Sequence, residues 1–215
     1  RMLAEDLDVS LQTRVAPPER AGDAWLLADD QGNALGRFDR VLIAAPAPQA
    51  VELLRAAPEL AATAAAVRYG PCWTVMLGLD APLDLPWEGL FVNQGPLRWV
   101  ANNGSKPDRQ GPVWVLHATA DWTGARLQAD TQTVVAALVD AFAKVVGSAG
   151  VALPALRWSQ AHRWLYSLVD APLDLGCLWD PALGIGACGD WCNGARVEGA
   201  WLSGEALAGR VMASA

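Results

Sequence analysis

Charge is scarce in this chain, since only 18% of its 215 residues are Asp, Glu, Lys or Arg, and basic residues are the scarcer half, leaving a net charge of −7. A nucleic-acid partner needs a basic stripe along one face, and none is present, so that class is excluded. Histidine and cysteine are few as well: two histidines, with Cys72, Cys177, Cys188 and Cys192. They lack the CxxC or HxxxH spacing of a zinc site, and Cys188 and Cys192 bracket a Gly-Asp turn, so no metal is expected and the thiols are expected to be reduced. No apolar run approaches the roughly 18 residues a spanning helix needs, so no membrane partner is expected. Glu5 and Asp6 stand where an export leader would be apolar, and the expected location is cytoplasmic.

Apolar residues are abundant, at 53%, enough for one sizeable core or two smaller ones. Eleven tryptophans accompany only three phenylalanines and two tyrosines. Flat rings of that size can stack on a sugar or a flavin, but packing in a core is their commoner use. Residues 2–7 read like the end of a helix rather than a start, so the chain is expected to be the later part of a longer protein.

Periodicity sets out the elements. Val9, Leu11, Thr13 and Val15 alternate with polar residues as in a half-buried strand, and 25–28 and 35–38 flank Asp29-Asp30-Gln31-Gly32-Asn33 as a hairpin. The unbroken apolar run 41–45 predicts a strand covered on both faces and halted by Pro46. Two helices, 49–57 and 59–67, are separated by Pro58. Strands follow at 72–79, 97–101 and 113–119, suggesting a largely antiparallel sheet. The helical spacing of Val134, Leu138, Phe142 and Val146 then predicts a helix capped by Asp130 and ended by Gly147. A long strand is expected over 156–169. The hexapeptide Asp-Ala-Pro-Leu-Asp-Leu occurs at 80–85 and 170–175, each time after a strand, as shared turn chemistry.

Residues 184–189, Gly-Ile-Gly-Ala-Cys-Gly, match the letters of a dinucleotide fingerprint. The context does not match, because Pro181 interrupts the run before them, the helix is expected only after 193, and no second strand with a terminal acid follows about 20 residues later. A strand through the glycines instead sets Asp190 at its carboxyl end, ahead of a helix whose apolar stripe is Val197, Ala200, Trp201, Gly204, Leu207, Ala208 and Val211. A carboxylate there can accept hydrogen bonds from ribityl hydroxyls, and a helix amino terminus favours negative charge on a reduced isoalloxazine. A plain strand–turn–helix with Asp190 as its cap would read the same way.

Gly189-Asp190-Trp191 followed by Gly194-Ala195-Arg196-Val197-Glu198-Gly199-Ala200-Trp201-Leu202-Ser203-Gly204 resembles the C-terminal flavin motif of renalase-like flavoproteins, a branch of the flavin amine-oxidase superfamily. Phe38-Asp39-Arg40-Val41-Leu42-Ile43-Ala44-Ala45-Pro46, Asn103-Gly104-Ser105-Lys106-Pro107 and His162-Arg163-Trp164-Leu165-Tyr166 resemble it in the same order. The resemblance implies an α/β flavoprotein. Residues 1–45 and 183–215 would belong to a partial Rossmann-like FAD-binding domain, and 46–182 to a mostly antiparallel, α+β substrate domain. It also implies non-covalent FAD, with Gly189, Asp190, Trp191, Arg196, Val197 and Glu198 at the cofactor. The family's glycine-rich phosphate loop would precede Arg1.

On the same resemblance, His162 and Arg163 lie on a strand roofing the flavin, as catalytic candidates. Histidine can handle protons and arginine can hold a phosphate or carboxylate, but neighbours on a strand face opposite ways, so one of the two is expected in the site. Lys106 is expected in a solvated turn. The implied reaction oxidises a small molecule, either a reduced isomer of a nicotinamide nucleotide (an NAD(P)-type ligand) or an amine, with oxygen as acceptor and hydrogen peroxide as product. The alternative is a non-catalytic binding or scaffold module keeping a vestigial flavin motif.

Overall fold

The computed structural model describes residues 5–214. In chain order the elements are β1 Glu19–Ala21, β2 Ala24–Ala28, β3 Ala34–Phe38, β4 Val41–Ile43, α1 Ala47–Leu53, α2 Pro58–Ala65, β5 Tyr69–Leu79, β6 Gly89–Phe91, β7 Leu97–Asn102, β8 Val113–Ala118, α3 Ala120–Gly124, α4 Thr131–Ser148, β9 Leu156–Val169, β10 Leu178–Asp180, β11 Ile185–Ala187, α5 Asp190–Asn193 and α6 Val197–Ala213. The result is a mixed helix-and-sheet fold with antiparallel sheets, the expected class. It forms two compact units: one holds the described residues up to Arg68 together with those from Val169 onward, and the other is Tyr69–Leu168. These limits differ from the role boundaries at 45/46 and 182/183 expected from the sequence.

In the first unit, β10, β11 and β4 form a three-stranded sheet. β11 runs antiparallel to β10 and parallel to β4, with Ile185 opposite Val41 and Ala187 opposite Ile43. β4 is shorter than the expected 41–45 run and is covered on one face only, because Val41 and Ile43 are buried while Leu42 is half exposed. A second sheet, β1-β2-β3, contains the expected hairpin. Its turn is held by the Asp29 carboxylate, which accepts from the backbone N–H groups of Gln31 and Asn33 and from the Asn33 amide. The strand expected over 9–15 does not form. Pairing is confined to one bridge, Val15 with Asp29 just past the end of β2, where Ala16 N donates to the Ala28 carbonyl and Asp30 N to that of Arg14, and Leu11 is left 81% exposed. The helix end expected at 2–7 falls partly outside the described residues, and 5–7 form a turn and bend.

The second unit is a five-stranded sheet in the order β6-β7-β8-β5-β9, packed on one face by α4. β5 is antiparallel to β8, and β8 to β7. Alternation along β5 and β8 sends Trp73, Val75, Leu77, Trp114 and Leu116 to that face, where Val134, Leu138, Phe142 and Val146 of α4 meet them. Each large side chain removed from water there contributes about 1.5–3 kcal/mol. Asp130 caps α4 as expected, its carboxylate accepting from the Thr133 N–H and hydroxyl. Gly147 does not end the helix. It lies within α4, and the chain turns instead at Gly150, whose φ of +78° suits glycine.

α6 also differs from its expected stripe. The residues it buries are Gly199, Ser203 and Leu207, whereas Val197 is 91% and Trp201 56% exposed. Small residues rather than large ones let this helix approach closely. At Gly199 a β-carbon would collide with the backbone of Gly194, while at Gly204 nothing lies within 4 Å. Gly199 is therefore the tight position on the helix, and Gly204 is not.

Candidate functional site

Two places draw chemistry-bearing residues together, one in each unit. In the first, β11 extends past Ala187 as Cys188 donates its N–H to the Ile43 carbonyl at 2.9 Å. The chain then turns through Gly189, whose N–H donates to the buried Ser203 hydroxyl of α6 at 3.0 Å, and enters the single turn α5. Trp191 is fully buried, and its indole N–H donates to the Ala45 carbonyl at 3.0 Å, tying α5 to the residues that follow β4. The second copy of the hexapeptide, with the glycine after it, grips the same turn: Leu173 N donates to the Trp191 carbonyl, and Leu175 N and Gly176 N to that of Cys192.

These bonds fix Gly189 and Asp190 at the carboxyl end of β11. The helix there begins at Asp190, earlier than expected, as the separate turn α5, and α6 follows after Gly194. Gly186 lies inside β11 rather than in a turn after it, so residues 184–189 do not have the strand–turn–helix geometry of the dinucleotide fingerprint. Partial burial pushes the Asp190 carboxyl above its ordinary value, and the backbone N–H groups of Trp191 and Asp190 itself offset this only in part. α6 begins at Arg196 with no side chain capping it, and Arg196, Val197 and Glu198 are exposed. Its first-turn N–H groups thus lack intrahelical partners. A carboxylate that accepts and an uncapped helix terminus that donates form a donor set suited to a group with both hydroxyls and an electronegative ring edge, as a flavin has.

Three of the cysteines are poor nucleophiles. All four are free, and burial pushes Cys177 and Cys188 up and Cys192 to about 12.

Ser203→Ala leaves the part-buried Gly189 N–H without its acceptor. The expected loss is about 1–2 kcal/mol in urea unfolding, with an unchanged denaturant slope. A loss below about 0.5 kcal/mol would show that this hydroxyl does not hold the turn.

In the second unit, β9 separates the two catalytic candidates as strand geometry requires. His162 is exposed and lies edge-on to Trp164 at 4.2 Å between ring centroids. Arg163 turns the other way: its guanidinium donates to the Leu127 carbonyl and lies 5.7 Å from the Trp73 ring. Its donors are thus partly engaged within the unit. Lys106 follows the turn Asn103–Ser105, which Asn102 caps by accepting from Gly104 N at 3.0 Å, and Lys106 is solvated as expected.

The sequence reading missed His117. Cross-strand pairing aligns Phe91 with Trp99, Trp99 with His117 and His117 with Thr74 on the sheet face away from α4. A hollow of about 390 Å³ opens there, between Phe91, Arg98, Trp99 and His117 on one side and Ser167 and Leu168 on the other. Burial above all, then the charges of Lys106 and Arg98, hold the His117 imidazole below its ordinary value, so it is neutral at neutral pH. The signal was present in the sequence. Val113, Val115 and His117 share the less buried phase of a strand whose other phase is Trp114, Leu116 and Ala118.

The family described as flavin containing amine oxidoreductase matches residues 1–212. The chain belongs to that family. Solved structures agree at the level of fold. A protein assigned as a protoporphyrinogen oxidase from Exiguobacterium sp. 255-15 aligns with a TM-score of 0.76 at 16% identity, over 98% of this chain and 49% of that one. Cyclohexylamine oxidase from Brevibacterium oxydans IH-35A aligns with a TM-score of 0.66, also at 16% identity, over 94% of this chain and 48% of that one. This flavin-containing amine oxidoreductase chain therefore spans about half the length of either, and at such identity the likeness is one of fold. Members of the family carry a flavin, and flavin-dependent oxidation is the family's chemistry. Among the described residues no helix is long and apolar enough to cross a membrane, and no cluster of His, Cys, Asp or Glu could hold a metal ion.

Proposed function

We propose that the chain forms the flavin end and the substrate face of a renalase-like oxidase that uses non-covalent FAD. The observation that carries this reading is the pairing, in a member of a flavin family, of Asp190 at the end of β11 with the uncapped amino terminus of α6. The unit containing β4, β11 and α6 is the flavin-binding part, and the β5–β9 sheet is the substrate part. When bound, the flavin supplies hydride acceptance from a reduced carbon and passes the electrons to oxygen, giving hydrogen peroxide.

The protein's own share is binding and orientation. Asp190 accepts from ribityl hydroxyls, with Gly189 keeping the backbone close. Backbone N–H groups of the first turn of α6, at Val197 and Glu198, would hold the electronegative edge of the ring, and the exposed Arg196 would add positive charge beside them. Trp191 packs beneath this surface, being wholly buried. His162 is the catalytic candidate that remains exposed, while Arg163 serves first to hold β9 to Leu127. The substrate is a small molecule, a reduced nicotinamide-nucleotide isomer or an amine, and four unpaired cysteines suit the reducing cytoplasm.

The test is spectroscopic. Full-length protein is expected to be yellow, to bleach anaerobically with the reduced nicotinamide isomer or an amine, and to recover its colour in air with one equivalent of peroxide. A colourless protein that neither binds FAD nor bleaches would instead support a scaffold with a vestigial motif.

A further inference from the structure

The hollow on the second unit's sheet is lined by basic side chains without acidic ones. In a protein of net charge −7, the described residues lining it include Arg98 and His117 but no Asp or Glu. Lys106 and Arg98 act on His117 in the same sense, since both charges disfavour protonation of the imidazole.

Local backbone geometry concentrates this character. The register between β7 and β8 shifts between Leu97 and Trp99, so Leu97 pairs with Ala118 and Trp99 with His117, and Arg98 is the extra residue. Along a regular strand, Arg98 and Trp99 would face opposite sides of the sheet. Across the irregularity both line the hollow. Extra residues of this kind are a common means of re-aiming a side chain beside a binding site.

The Trp99 ring lies over Gly89, where a β-carbon would come within 2.6 Å of it, and leans on Phe91 at 4.6 Å between centroids. The two rings, tilted at 54° to one another, form an aromatic corner that lines the hollow together with the Arg98 guanidinium. Cys72 and Leu168 make the floor apolar.

We propose that this hollow seats a planar ring bearing an anionic group, a carboxylate or a phosphate. Trp99 and Phe91 are the platform, Arg98 is the counter-charge and His117 is a neutral hydrogen-bond partner. The proposal rests on the oxidase reading above and sharpens it, because such a site favours an anion-bearing ring substrate over a protonated amine. An ammonium group would meet Arg98 with no carboxylate in the lining to offset it, and like charges at close range are strongly disfavoured.

The test uses three matched probes, 2-naphthoate, 2-naphthyl phosphate and 2-naphthylmethylamine, titrated calorimetrically into the holoprotein. At least one anionic probe is expected to bind ten or more times tighter than the amine. Whichever of the two binds better identifies carboxylate or phosphate as the recognised group. Arg98→Gln, an exposed position outside the core, is expected to abolish the preference, and His117→Gln to weaken the anionic probe several-fold. Arg126→Gln, whose guanidinium lies over Trp122 instead, leaves binding unchanged. Equal or tighter binding of the amine, no binding of any probe, or a preference that survives Arg98→Gln would overturn the proposal. Flavin absorbance is followed in the same samples. A yellow protein without anion preference overturns this inference alone, and a protein that never takes up FAD overturns the oxidase reading.

Discussion

Gly186→Val is expected to destabilise the protein by about 3 kcal/mol, the upper end of what overpacking costs. By local preference the substitution looks favourable, since valine suits a strand and glycine does not. The surroundings decide otherwise. A β-carbon at Gly186 would stand 2.5 Å from the Leu178 carbonyl oxygen and 2.8 Å from both Leu207 Cδ1 and the Trp179 ring. The first contact is backbone of the paired strand, which cannot rotate away, and the second is the buried anchor of α6. Valine would therefore push β10 and α6 from β11 together. A urea titration should show a lower midpoint with an unchanged slope, while Gly204→Ala, where nothing lies within 4 Å, should be neutral or slightly stabilising. A loss below about 1 kcal/mol at Gly186 would mean that β11 is not packed between β10 and α6 as described.

The same position shows why the sequence revealed some elements and hid others. Where a pattern reports burial on one side, it was legible: Val134, Leu138, Phe142 and Val146 trace the inner face of α4, and the Asp29 turn announces its hairpin. Legibility failed where a partner had to be known. The 9–15 segment alternates as a strand would, but only its last residue, Val15, reaches a partner, in one bridge to Asp29. α6 was read through its large residues, although Gly199 and Ser203 make the contact and Val197 and Trp201 face outward. Smallness selected for close approach leaves no trace in a hydrophobic pattern.

The sites divide along the same line. Asp190 was legible because a strand end followed by a helix can be read locally, and the motif around it carried the family resemblance. His117 was not, because its significance depends on Trp99 and Phe91 lying opposite it on two other strands, and on one irregular step bringing Arg98 to the same side. Arg163 was legible as a cation but not as a cation already bonded to Leu127.

Asp190→Ala is expected to weaken flavin binding by about 1.5–3 kcal/mol, the usual worth of a hydrogen bond to a charged group, so that Kd rises roughly ten- to hundredfold. Burial raises the folded-state pKa of this carboxyl above its unfolded value. Its favourable contribution to folding is therefore fully present below the unfolded value near 3.8 and is lost as pH rises through the folded value. At neutral pH the ionised group thus stabilises nothing in the flavin-free chain, and its removal should leave the flavin-free melting temperature unchanged or slightly higher. What the ionised form can do is accept hydrogen bonds from ribityl hydroxyls, which offset the burial that Trp191 N–H and its own N–H offset only in part. Asp190→Asn tests the charge separately. It keeps one acceptor oxygen and should fall between wild type and Asp190→Ala in flavin affinity, while removing this carboxyl's own contribution to the acid-side pH dependence of folding. Fluorescence quenching of FAD titrated into each flavin-stripped variant measures the first effect, and thermal unfolding of the flavin-free protein from acid to neutral pH measures the second. Unaltered FAD affinity in Asp190→Ala would take this carboxylate out of the flavin site.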